Sequence, residues 1–330
     1  MCAPAVSTTV VREPVKKEEI AIDRVSVVEN QNAFGKLIGL KYPADIRAIC
    51  TLGVKFGSVV AHWQLFPFLG RWGWALTPFG FVPAFLTCCI THNAMHCAMF
   101  KNRSAETTFR TVLSLALGHP VQLYNPTHNH NHHAHTQTED DHSMTDKVQY
   151  QRHWMNGFLY FFHCLPSVFK LENAYIAEQY QRGGTTFTRI VIQMAALYSV
   201  WAYLIYLDWV RFLACVYIPG FSGIFAILSI SLLQHDGCSV SDVRQGKDLD
   251  VNSARNFVDP SLNYFTMNNG YHSVHHMYPN LHWTHYKKLH EEIVKPRINP
   301  ALEEPSIIGY VWRTFFYPGV LPPHRRNKVQ

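Results

Sequence analysis

At 330 residues the chain is long enough for one large domain or two small ones. Only 16% of its residues are charged, against roughly 25% in soluble domains, and 14% are aromatic, which argues against an ordinary water-soluble globule. The formal charge of +6 is spread out rather than gathered into a stripe, so nucleic-acid binding is not expected and contact with an anionic leaflet fits better.

Residues 1–44 mix Val, Thr, Lys and Glu without an apolar core, so they read as a disordered cytosolic tail rather than a secretory signal. No Asp or Glu occurs between Asp45 and Glu106. That stretch predicts a hairpin of two membrane helices, about Ala48–Leu69 and Trp72–Ile90, with Gly70 and Arg71 at the turn. Trp72 and Trp74 fall where an aromatic belt would lie, and Lys55 is expected to snorkel toward the near surface. Two shorter apolar runs, Thr111–Tyr124 and Trp154–Phe169, predict interfacial or buried helices. A second hairpin follows: about Ile190–Leu207, a turn at Asp208–Arg211, then Phe212–Leu233. A turn that short predicts antiparallel neighbours. Residues 291–330 read as a C-terminal tail, in which Lys328 and its neighbours faintly resemble a dilysine retrieval signal.

The expected fold class is therefore all-α and integral to a membrane. Four transmembrane helices in two hairpins carry a cytoplasmic, His-rich helical cap, within a domain spanning residues 45–290. Arg47, Lys101, Arg103, Arg189, Arg244 and Lys247 flank the spans on the cap side, against Arg71 and Arg211 on the other, which makes the cap side cytoplasmic. Eight cysteines show no CxxC spacing, so buried reduced thiols are expected.

The 20 histidines are not scattered evenly. His92 and His96 lie four apart, one helical turn, at the end of the second span. His128, His130, His132, His133 and His135 crowd the segment between the hairpins, where Asn125 and Pro126 predict a helix start. His272, His275 and His276 follow the fourth span, and His235 stands at its end. Span parity puts every cluster on one face, so one site can collect them. Neutral imidazole is a common ligand for iron, zinc and copper. About nine well-spaced imidazoles exceed one ion's needs, so two metals are the natural count. His62 and His163 read as satisfied interior polar groups, and His282, His285 and His290 as residues of a soluble surface helix. Glu139, Asp140 and Asp141 read as a solvated acidic turn, or alternatively as partners that orient the imidazoles.

These clusters resemble the three histidine boxes of the membrane fatty acid desaturase and hydroxylase superfamily. The matching positions are His92 and His96, then His128, His132 and His133, then His272, His275 and His276, with His235 in the place of the family's lone histidine. The resemblance covers about Ala48 to His290. Two departures stand out: Asn93 replaces the usual acidic residue, and Asn129 stretches the second box by one residue, leaving His128 or His130 as its first ligand. His128 is favoured on helical spacing.

The resemblance implies a di-iron centre using O2 as co-substrate to remove hydrogen from an unactivated C–H bond. It implies an acyl-lipid or acyl-CoA desaturase, with a lipid, sterol or carotenoid hydroxylase or ketolase as the alternative using the same ligands. The non-enzyme alternative is a metal-binding membrane protein or transporter, which should place ligands near the midplane of its spans. No haem-binding box, iron–sulfur cysteine set or dinucleotide motif is present, so a separate donor, cytochrome b5 or ferredoxin with its reductase, is expected. The endoplasmic reticulum is the expected membrane, with plastid or bacterial inner membrane as alternatives. An acyl chain is expected to lie in a dry tunnel opening from the cytoplasmic face.

Overall fold

The computed structural model describes residues 33–240, 251–317 and 319. The residues expected as a tail up to position 32, the cap-side charges Arg244 and Lys247, and the retrieval-like C-terminus lie outside them. The described chain is almost wholly helical; its strands are two residues each, Asn256–Phe257 paired in parallel with Glu303–Glu304.

Six long helices form the frame: α1 Ile46–Leu69, α2 Phe81–His96, α3 Arg103–Leu117, α4 His153–Arg182, α5 Thr185–Phe212 and α6 Ile218–His235. Two stretches, Pro43–His96 and Thr185–His235, are long and apolar enough to cross a membrane. Only 44% and 22% of their most apolar windows are buried, so much of this apolar surface faces outward. Val54, Val60 and Phe68 on α1 and Tyr203, Ile205 and Tyr206 on α5 are exposed, which an aqueous surface would penalise.

The first stretch doubles back on itself. His62 Nε2 meets the Gly73 carbonyl at 2.9 Å, and farther from the turn Ala48 shares a core with Ile90 and Ala94. Residues 70–80, with Gly70, Gly73, Pro78 and Gly80, wind as a tight 3-10 turn, so α2 begins at Phe81 rather than near Trp72. It then continues through His96, which puts His92 and His96 on the helix rather than after it.

In the second stretch Asp208 adopts an extended backbone (φ −168°, ψ 100°) and interrupts α5. Its Oδ1 accepts from the Val210 and Arg211 amides at 3.0 and 3.1 Å, capping the next helical segment. The arms are not the close neighbours expected of them. Helix α5 packs on α3 and α4, whereas α6 packs along α2 and α4. The ring contacts joining α5 to the other arm, Trp201 and Phe212 with Tyr217, lie near the turn. A short turn constrains where two helices start, not how far they diverge.

The α2–α6 contact is the closest in the frame. A Cβ on Gly223 would lie 2.8 Å from the Ala84 carbonyl carbon, so only glycine permits this approach. The run Trp154–Phe169 is the first part of α4, a 30-residue helix about 45 Å long. Thr111–Tyr124 divides into the end of α3 and a 3-10 turn at Val121–Leu123, separated by Gly118 in a left-handed conformation (φ 80°). Beyond His290 the chain stays packed: Phe315 stacks on His153 with ring centroids 4.4 Å apart, and Phe257 meets Tyr310. Folded structure thus runs past the expected tail boundary through Phe316.

Candidate metal centre

The ends of α2 and α6, the segment 125–135 and the short helix α7, His272–Met277, converge on one buried volume. There the imidazoles fall into two groups of four: His92, His96, His128 and His275, then His132, His235, His272 and His276. Within each group the ligand nitrogens lie within 4.8 Å of one another. His133 stands between them, its ring 4.6 Å from those of His275 and His276 and its Nε2 3.1 Å from His128 Nε2.

Local structure explains the division. His92 and His96 share one face of α2 and enter one group together. On α7 the i, i+4 pair His272 and His276 enters one group, and His275, on the adjacent face, enters the other. Segment Asn125–His132 is a wide, π-type helix. Its larger turn absorbs the extra residue of the second cluster, a common accommodation of an insertion. His128 and His133, five apart, thereby meet, while His130 points out to an exposed position with its ring 5.8 Å from Tyr175. The helix starts earlier than Asn125 predicted, because the preceding 3-10 turn runs straight into it; Asn125 Oδ1 instead accepts from Asn129 Nδ2 at 2.9 Å.

The outer ring nitrogens are held by fixed partners. His132 Nδ1 donates to Asp141 Oδ2 at 3.0 Å, and His235 Nδ1 to the Ser253 carbonyl at 2.9 Å. His275 Nδ1 meets the Tyr286 hydroxyl at 3.2 Å, and His92 Nδ1 reaches Asn93 Oδ1 at 3.3 Å. Asn93 therefore still offers an oxygen where an acidic residue was expected, though a neutral one. These bonds turn the Nε2 lone pairs inward.

The inward atoms crowd together without donors between them. His272 Nε2 lies 3.1 Å from both His235 Nε2 and His276 Nε2. The buried Nε2 atoms of His92, His96 and His275 have no hydrogen-bond partner. Burial, reinforced by neighbouring imidazoles, holds His128, His133, His272, His275 and His276 well below their ordinary pKa, so they are neutral. Buried, neutral nitrogens facing one another fit cations and little else.

The acidic turn divides. Glu139 and Asp140 are exposed, whereas Asp141 is buried and also accepts from the Gln137 amide and from the Ser143 amide and hydroxyl. Burial alone would raise its carboxyl pKa; His132 and these donors outweigh that and hold it well below the usual carboxylate range.

The family model for fatty acid desaturase matches residues 62–303, more than half of the chain. The chain belongs to the fatty acid desaturase family. Neither a curated protein nor a solved structure gives a match.

Other histidines of this family member lie elsewhere. His282, His285 and His290, expected on a soluble surface, are buried. His282 stacks on Tyr42 and donates to Asp45 at 3.0 Å, and His290 pairs with Glu303 at 3.1 Å. Beside the histidine groups lies a mostly apolar cavity of about 700 Å³, lined by residues of α1 to α6. His92, His128, His132 and His272 form part of its wall. The sequence suggested a dry tunnel but not its walls: residues of both α5 and α6 line this cavity, and its only Lys or Arg among the described residues is Lys55, on α1.

Proposed function

We propose that the protein is an O2-dependent, di-iron acyl-lipid or acyl-CoA desaturase of a membrane. The observation that carries this is the pair of four-histidine groups set in the wall of an apolar cavity. His92, His96, His128 and His275 would hold one iron and His132, His235, His272 and His276 the other, with His133 placed to serve either. The bound iron pair supplies the oxidising power that acid–base groups lack for an unactivated C–H bond.

The protein's own part is placement. Asp141, Ser253 and Tyr286 fix the imidazole tautomers so that each Nε2 presents a lone pair inward. The apolar walls hold an extended acyl chain alongside the histidines and keep bulk water from the reacting carbons. Removal of hydrogen from two adjacent carbons gives the alkene and reduces O2 to water, with the balance of electrons from a separate cytochrome b5 or ferredoxin system.

In this reading each apolar stretch crosses the bilayer twice. At about 80 Å for 54 residues in line, either stretch would overrun a hydrocarbon core of about 30 Å, whereas a hairpin fits. Both hairpins then end on the histidine side, which would be cytoplasmic, with the endoplasmic reticulum the favoured membrane.

Metal analysis of purified protein and lipid profiling of a heterologous host test this together. About two iron per chain and a new double bond are expected. Zinc without iron would overturn the enzyme, and a hydroxylated lipid without an alkene would replace desaturation by hydroxylation.

A further inference from the structure

The cavity wall carries one charge that no described residue answers. His119 and Glu172, which also line it, satisfy each other at 2.9 Å. Lys55 has no such partner. It is 4% exposed, its side chain lines the cavity, and its Nζ makes no hydrogen bond or ion pair with any described residue. Nor does it snorkel as expected. Lys55 sits nine residues into α1, about 13 Å from the helix start, and faces Cys88 on α2.

An ammonium has three donors and no acceptor, so facing it into a mostly apolar cavity without an acceptor is costly. A purely hydrocarbon ligand would leave that cost in place. Cys88 is one helical turn, about 5.4 Å, before His92 on the same helix, and both line the cavity. A group held by Lys55 therefore shares the cavity with His92 of the first histidine group.

We propose that Lys55 binds an acceptor oxygen of the acyl substrate, a carboxylate or an ester carbonyl, and so selects chains whose reacting carbon lies close to the oxygen-bearing end. The inference rests on the acyl-substrate reading above and adds to it which end of the chain enters and roughly where it reacts.

Equilibrium binding to the purified full chain in detergent tests it, with palmitate, methyl palmitate and hexadecane as probes. The oxygenated ligand should bind about tenfold or more tightly than hexadecane, and Lys55→Met should erase that difference while Lys55→Arg keeps it. Preference for palmitate alone assigns a carboxylate; preference for both oxygenated probes assigns the carbonyl. Lys55→Met replaces an unpaired buried cation by an apolar chain of similar length, so its melting temperature should not fall. Should it fail to fold, Lys55→Leu carries the same comparison. Equal binding of all three probes, no binding of any, or a preference that survives the apolar substitution overturns the proposal. These binding constants require no turnover, so failure of the desaturase reading leaves them interpretable.

Discussion

His132 donates from Nδ1 to Asp141 Oδ2 at 3.0 Å with both side chains buried. A hydrogen bond this enclosed fixes the tautomer, leaving His132 Nε2 as the inward lone pair. Asp141→Asn keeps the shape but removes the charge that the His132 imidazole leans on. Metal affinity at the second histidine group should fall about 10- to 100-fold. Iron titration of the purified variant measures it, and unchanged affinity would show that Asp141 serves only the turn it caps.

The spacing of the clusters was legible in the sequence; their partition was not. Helical periodicity says that His272, His275 and His276 are near one another, yet which group each joins depends on where α2 and α6 meet α7. Asp141 looked like part of a solvated acidic run, because the sequence does not show that Gln137 and Ser143 fold back to cover it. His282, His285 and His290 looked exposed because Lys287, Lys288, Glu291 and Glu292 surround them; the helix hides one face and shows the other. The splay of α5 from α6 left no signal, since both arms are apolar all round.

The second cluster is where local geometry decides between residues. In a regular helix His128 would share a face with His132 and stand away from His133, five residues on. The π-type turn brings His128 to His133 and leaves His130 outside. His128→Ala should therefore reduce bound iron to about one per chain or less, whereas His130→Ala should retain both. Iron quantification of the two variants side by side checks the assignment; the reverse pattern would move the ligand to His130.

His282 ties the segment after α7 to the segment before α1 rather than binding metal. Its Nε2 and the Trp283 indole both donate to Asp45 Oδ1, at 3.0 and 2.8 Å, while Tyr42 stacks on its ring. His282→Phe keeps the stack but leaves a buried carboxylate oxygen one donor short. The expected cost is about 1–3 kcal/mol of stability. Iron content of the folded fraction should be unchanged. Thermal unfolding and metal analysis separate the two effects, and loss of iron without loss of stability would contradict the structural role.

The cavity sets the last expectation. Gly220, near the start of α6, lines its wall, and a Cβ there would meet only the Leu117 carbonyl at the end of α3, at 3.7 Å. A side chain at this position therefore has room to grow into the cavity instead of against the helix frame. Gly220→Phe should fill part of the space that an acyl chain needs without touching any histidine. Long acyl substrates should bind less tightly and turn over more slowly, with shorter chains affected least. Because α6 ends in His235, a shift of the whole helix would also disturb the second histidine group, and iron content distinguishes the two outcomes. Two iron per chain with a shortened chain-length profile places the acyl chain beside Gly220. An unaltered profile would require that the chain enter elsewhere.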